Sequence, residues 1–197
     1  MDKIEEFVSR EEYERLLKYR DLLLRWNKVI NLVSSRAVND ILNRHILDSV
    51  QILKFINNKN VSIIDVGSGA GFPGVVLSIC GINDVTLIES DSRKVAFLLQ
   101  SALLSPCKIK IKNDRVENLK GLECDIMTAR AFSSLESIFD YTERIKVRDK
   151  YLLHKGKSYG SELLKARSRW LFNVQIHDSI TSDYGKILEI TDLESAS

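Results

Sequence analysis

The sequence predicts an α/β fold, with a mostly parallel sheet closed by a C-terminal antiparallel hairpin and preceded by an N-terminal helical cap. Three observations predict it. Up to about residue 56 apolar residues recur every three or four positions; beyond residue 60 short β-branched runs alternate with longer amphipathic segments; and a cluster of glycines directly follows the first of those runs.

In the first region Tyr13, Leu16, Leu17, Leu23 and Leu24, then Ile41, Leu42, Ile46, Val50 and Leu53, form apolar stripes with charges between them, so 11–56 reads as helical. Asn57-Asn58-Lys59-Asn60 is a turn-like break. Strands are then expected at 61–66, 84–89, 108–112, 125–129 and 150–154, with helices at 73–80, 92–104, 115–119, 135–145 and 161–170. Strands joined by helical crossovers make a parallel sheet covered on both faces. The runs 173–180 and 186–190 flank Asp183-Tyr184-Gly185 with no helix between them, which reads as an antiparallel hairpin. The whole is expected to be one domain, with 1–58 as the cap, 59–193 as the α/β core and 194–197 dispensable.

A chain of 197 residues with 44% hydrophobic residues can build one sizeable core. Lys and Arg total 29 against 27 acidic residues, a net charge of +2, so any phosphate-binding surface must be local. No apolar stretch approaches the roughly 18 residues of a membrane span, and segment 1–13 carries several charges and no apolar core of a secretory leader. Cys80, Cys107 and Cys124 are odd in number and lack paired spacing, which argues against a disulfide framework or a zinc site. They read as small buried hydrophobes in a reducing cytoplasm, and no metal is expected.

The chemistry concentrates in Asp65-Val66-Gly67-Ser68-Gly69-Ala70-Gly71-Phe72-Pro73-Gly74, which holds four of the nine glycines within eight residues. Between a strand and a helix, such glycines let a ligand approach the backbone. The dinucleotide fingerprint would require Gly or Ala at position 72, where Phe72 stands, and no Walker lysine follows. The spacing Gly67-x-Gly69-x-Gly71, with Asp65 two residues ahead, resembles instead motif I of class I S-adenosylmethionine-dependent methyltransferases, which are built on a Rossmann-like sheet. Glu89, 22 positions beyond Gly67 at the end of the next expected strand, is placed to accept both hydroxyls of a ribose.

Four blocks occur in order: Arg25-Trp26-Asn27-Lys28-Val29-Ile30-Asn31-Leu32, Arg44-His45-Ile46-Leu47-Asp48-Ser49, the glycine turn with its Phe-Pro-Gly extension, and Arg130-Ala131-Phe132. Together they resemble the bacterial GidB family, small-subunit (16S) ribosomal RNA guanine-N7 methyltransferases, and Lys155-Gly156 resembles a later family element. The resemblance implies S-adenosylmethionine as donor and a guanine of 16S rRNA in the small ribosomal subunit as acceptor. It places Gly67 near the methionine part of the donor, Phe72 in the pocket wall, Val116 and Glu117 at the adenine, and Arg130 beside donor and substrate as a positioning or charge-stabilising group. Asp65, Gly69, Gly71 and Glu89 complete the expected donor set.

Guanine N7 carries a free lone pair at neutral pH, so transfer to it needs no general base and no certain catalytic residue is expected. The enzyme's task is placement and charge management, because the base becomes cationic as the sulfonium becomes neutral. No Asn-Pro-Pro-Tyr type run follows the fourth expected strand, and Pro106-Cys107 precedes the third, so Cys107 reads as structural and not as a nucleophile. Arg44, His45 and Lys155 are substrate-binding candidates; His45 reads equally as a hydrogen-bonded structural residue, and His154 and His177 are given no role. Trp26 reads as a core anchor. Nine Lys or Arg against two acids over 144–169, seven against two over 93–120, and one Lys against five acids from 173 onward suggest phosphate binding on one face. A monomer is expected. On the residues alone two other readings stay open: a class I methyltransferase of another RNA or a small molecule, and a non-catalytic nucleotide- or RNA-binding module.

Overall fold

The computed structural model describes residues 3–196, the side chains of residues 36 and 37 excepted. Helix α1 (Arg10–Trp26) starts at a reciprocal cap, where Glu12 N–H donates to Ser9 Oγ at 3.3 Å and Ser9 N–H to the Glu12 carboxylate at 2.7 Å. Such caps contribute about 1 kcal/mol. Leu16, Tyr19 and Leu23, three and four apart, bury one face of α1. Asn27 ends it, because its Oδ1 accepts from the backbone N–H of Leu32 at 2.8 Å and of Val33 at 2.9 Å and folds the following loop back.

The helical stretch expected over 11–56 is therefore interrupted. After the loop come α2 (Ser35–Val38), π-helical turns Leu42–Leu47, α3 (Asp48–Val50) and a 3-10 turn Gln51–Phe55. All have three to five residues per turn, so an apolar repeat of three to four does not separate them.

Seven strands, β1 (Ser62–Val66), β2 (Asp84–Ile88), β3 (Ile109–Lys112), β4 (Glu123–Arg130), β5 (Lys146–Lys155), β6 (Trp170–Asp178) and β7 (Lys186–Ser195), form one sheet in the order β3-β2-β1-β4-β5-β7-β6. The first five are parallel and β7 runs antiparallel to both β5 and β6, as the hairpin reading requires. Helices α4 (Gly74–Ile79), α5 (Ser92–Ala102), α6 (Leu135–Thr142) and α7 (Tyr159–Ala166) make the crossovers. Three expectations are corrected. The segment 115–119 is only a 3-10 turn, Val116–Asn118, held by the inward burial of Val116. The strand β6 takes Trp170 from the expected last helix. The end of the chain is not dispensable as far as residue 195, because Glu194 pairs with Leu171 and Ser195 with Trp170 in the sheet; Ser197 lies outside the described residues.

The pleat of the sheet divides the core. Ile63, Val85 and Leu87 face α1, α4 and α5, whereas Ile64, Val66, Met127 and Leu153 face Leu135 and Phe139 of α6. Trp26 meets Phe97 edge-on with centroids 5.9 Å apart, a core anchor as read. The Tyr19 hydroxyl, buried and pushed well above its usual pKa by that burial, donates to the Ala70 carbonyl and fastens α1 to the glycine turn. Cys80 and Cys124 are buried, and desolvation pushes the Cys124 thiol up to about 12. Cys107 lies between α5 and β3, with its Sγ 3.2 Å from Asn83 Oδ1, at the amino edge of the strands. Among the described residues no helix is long and apolar enough to cross a membrane.

Candidate active site

Strand β1 lies between β2 and β4, so the chain reverses its direction of winding there and a crevice opens at the carboxyl ends of the strands. The first half of that crevice is made by main chain. The Ile88 carbonyl accepts from Gly67 N–H at 3.0 Å and Ser68 N–H at 3.1 Å, which ties the turn after β1 to the end of β2. Gly67, Gly69 and Gly71 all have positive φ, +67°, +55° and +87°, a region costly to residues with a Cβ. Their surroundings differ. A Cβ on Gly67 would overlap the Phe132 ring, one on Gly71 would lie 2.9 Å from the Tyr19 hydroxyl, and one on Gly69 would meet the Gly67 carbonyl oxygen at an ordinary 3.7 Å.

Glu89 follows β2 and is buried at 7% exposure; its Oε2 accepts from Gly69 N–H and its Oε1 from Asp91 N–H, both at 2.8 Å. These two bonds fix the carboxylate at the rim of a cleft of about 320 Å³, whose walls include Gly67, Glu89, Lys94, Val116, Glu117 and Phe132. A carboxylate for a diol, a buried valine and a glycine edge without side chains are a donor set that fits an adenosine group. Asp65 is fully buried beneath the turn: its carboxylate accepts from Thr128 Oγ1 at 2.9 Å and Gly74 N–H at 3.3 Å. Burial, reinforced by Glu89 and opposed by these hydrogen bonds, raises its pKa to about 6.

The second half is made by side chains. A cleft of about 580 Å³ is lined by Arg44, His45, Asp48, Arg130, His154 and Thr181 among others. Arg130 at the end of β4 and His154 near the end of β5 are cross-strand neighbours on the face turned toward the 41–50 segment. Arg130 donates from Nε to Asp48 Oδ2 at 2.8 Å, and from Nη2 to the Arg44 carbonyl at 2.9 Å and to His45 Nδ1 at 2.6 Å. Thr181 Oγ1 donates to Asp48 Oδ1 at 2.7 Å, and His154 Nε2 donates to the Asp48 carbonyl at 2.7 Å. Burial pushes Asp48 up, but the charges of His154 and Arg130 and the bonds from Thr181 and Arg130 outweigh it and hold the carboxyl below its usual range.

The tautomers follow from the partners. A guanidinium only donates, so His45 Nδ1 is the acceptor and the neutral ring carries its proton on Nε2. Burial, then Arg130, brings the His45 pKa down to about 4, and burial lowers that of His154 as well. Phe72, expected in the pocket wall, lines neither cleft: it is buried behind the larger one, stacks on His45 at 5.0 Å between centroids, and lies 5.6 Å from the Arg130 guanidinium carbon.

Comparison with known proteins gives these clefts a family. The family model described as rRNA small subunit methyltransferase G matches residues 12–191. The chain is 50% identical over 186 residues to the ribosomal RNA small subunit methyltransferase G of Rickettsia prowazekii, covering 94% of this chain and 97% of that one. It is 51% identical to that of Orientia tsutsugamushi (strain Boryong), covering 93% and 92%. The chain belongs to this family. Solved structures share the fold: magnesium protoporphyrin IX methyltransferase from Synechocystis with bound SAM matches at TM-score 0.59 and 17% identity over 86% of this chain and 89% of that one. A TehB-like SAM-dependent methyltransferase from Corynebacterium glutamicum matches at 0.57 and 16% over 89% and 98%.

In this family member the expected donor residues Gly67, Glu89, Val116 and Glu117 meet at one cleft, whereas Arg130 stands in the larger one beside Phe72. Asp65 and Gly71 lie behind the turn, fastening it to α4, β4 and α1. Arg44 lines the larger cleft with an exposed side chain. Lys155 lines it too, but its ammonium is engaged with the Ser133 carbonyl at 2.7 Å and Glu162 at 2.8 Å. His154, given no role from sequence, is corrected to a buried member of the Asp48 cluster; His177 bonds Glu189 at 2.9 Å against Phe55, outside both clefts.

Several basic residues of the 144–169 stretch are engaged in ion pairs. Arg148 pairs with Glu123 and Asp125, Lys150 with Glu189, and Arg169 with Glu136 and Asp140, acids supplied by other segments. Lys146, Arg148 and Lys150 also sit at the start of β5, the end of the sheet away from the clefts. Thr181 was missed as a site residue, and nothing near it in the sequence marks it; Asp48 stands in the block that begins at Arg44, on the polar helical face expected to hold Arg44 and His45.

Proposed function

We propose that this chain, acting as a monomer in the cytoplasm, transfers a methyl group from S-adenosylmethionine to N7 of a guanine in 16S rRNA of the small ribosomal subunit. The observation that carries the reading is the pair of abutting clefts at the carboxyl ends of β1 and β4, one edged by glycine backbone and Glu89, the other walled by a pinned arginine, in a chain of this family. When bound, S-adenosylmethionine supplies an electrophilic methyl carbon on a sulfonium.

Glu89 and the Val116 turn hold the nucleoside end in the smaller cleft, and the chain that leads to sulfur runs toward Gly67, whose edge the Phe132 ring covers in this structure. The guanine N7 lone pair attacks the methyl carbon, the carbon–sulfur bond breaks with its electrons left on sulfur, and the base leaves as a 7-methylguanine cation. No proton moves, which matches His45, neutral and with Nδ1 occupied by Arg130. Arg130 is a positioning group: Asp48 neutralises it, so it shapes the wall beside Phe72 without repelling the nascent cation.

The test is transfer of labelled methyl from S-adenosylmethionine to purified unmodified small subunits and to deproteinised rRNA, followed by nucleoside mass spectrometry. Labelled 7-methylguanosine is the expected product. Label in another nucleoside, or in neither RNA while the donor still binds, would overturn the reading.

A further inference from the structure

We propose that Phe132 is a movable partition between the two clefts, a positioning residue that must leave Gly67 before a methyl group can pass from one to the other. The inference rests on the assignment of the clefts above. Two residues line both of them, Ala131 and Phe132. At Ala131 the chain leaves β4 with φ +51°, a conformation uncommon for a residue with a Cβ. The Phe132 ring then lies directly against Gly67: a Cβ built there would be 2.8 Å from its Cγ and 3.0 Å from its Cε2. No ligand atom fits between ring and backbone.

In-line transfer needs the reacting atoms about 3–3.5 Å apart, and a ring interposed between donor and acceptor prevents that approach. The ring is half-buried at the edge of the core face under α6, and its aromatic neighbour is Tyr141, edge-on at 6.1 Å. A ligand that prefers the open position can therefore shift it. Off Gly67 the ring stays tethered to the end of β4, where it borders the larger cleft and fixes the plane of the incoming base. Donor entry and acceptor placement are thus coupled through one side chain.

Two measurements test this on the full chain. Association of S-adenosylmethionine with immobilised protein should be at least about fivefold faster for Phe132→Ala, with equal or tighter Kd, while kcat on small subunits falls at least about tenfold; Phe132→Tyr should restore both. A ring that is merely part of the wall would not move the two quantities in opposite directions. Unchanged or slower association, or unchanged kcat, overturns the partition, and Phe132→Leu decides if the alanine variant melts early. A crystal structure with S-adenosylhomocysteine should show the ring off Gly67; a ring still on Gly67 with the ligand bound refutes the partition alone. A wild-type chain that does not bind S-adenosylmethionine removes the proposed function, and the partition with it.

Discussion

The smaller and the larger cleft share a rim but are built from different material. Around the first, backbone groups do the holding: Gly67 and Ser68 donate to Ile88, and Gly69 donates to Glu89. Around the second, side chains from distant segments converge on Asp48, with Thr181 and Asp48 separated by 133 positions. A backbone site depends on empty space and fails abruptly when that space is filled. A side-chain cluster shares its load among several bonds and weakens by degrees.

The largest effect should come from filling the space. Gly67→Arg must leave a φ of +67° and displace Phe132 at once, so donor binding is expected to vanish in calorimetry; normal affinity would show that the donor does not pass this edge. Arg130→Ala breaks the cluster at its centre. It removes the bonds to Asp48, His45 and the Arg44 carbonyl and leaves Asp48 with Thr181, Gln51 and Ser179 as side-chain partners. Transfer to small subunits should fall about 10- to 100-fold and stability by about 1.5–3 kcal/mol, the range for bonds to charged groups, with donor affinity little changed. Loss of donor binding instead would join the two clefts into one site.

The same contrast explains what could be read in advance. The alternation of strands and helices, the hairpin and the glycine turn were legible, because β-branched runs and glycines at fixed spacing are local marks. Glu89 was found by its distance from Gly67. The acceptor cluster was half visible: Arg44, His45 and Arg130 stood in quoted blocks, but nothing local says that Arg130 will reach Asp48 or that Thr181 will arrive from the β6–β7 connection. Sheet order decides those meetings. The basic count over 144–169 could not show pairing for the same reason, since the acids that pair with Arg148, Lys150 and Arg169 lie elsewhere in the chain.

Glu89→Gln keeps one acceptor oxygen and loses the charge, so donor Kd should rise about 10-fold, within the roughly 1–3 kcal/mol of a lost bond to a charged group. An unchanged Kd would leave the backbone of the turn as the whole donor site.

Buried Asp65 and half-buried Asp48 separate the clefts by pH. The Asp65 pKa is raised to about 6 from an unfolded value near 3.9, so the folded state holds its proton longer. Its contribution is fully present below about pH 4 and is lost as pH rises through 6, an effect on the order of 2 kcal/mol. Asp48 is shifted the other way: its contribution is present above about pH 4 and is lost as pH falls through its lowered pKa. Asp65→Asn, whose amide can still accept from Gly74 and bond Thr128, should therefore lose less stability between pH 4 and 6 than the wild type in urea titrations. Identical pH profiles would mean that Asp65 is not the group titrating there.

The smallest effect is expected at Cys107, which lies at the amino edge of the strands while both clefts open at the carboxyl edge. Its one polar contact is to Asn83, and Cys107 N–H is held by Ser105 Oγ at 3.0 Å whatever the side chain. Cys107→Ala should leave donor Kd and transfer unchanged and shift stability by less than about 0.5 kcal/mol. Methyl transfer at N7 uses an existing lone pair and forms no covalent enzyme adduct, so a thiol has no step to perform. Loss of transfer in this variant, with donor binding and melting temperature intact, would place a nucleophile on the wrong edge of the sheet and break the two-cleft account at its base.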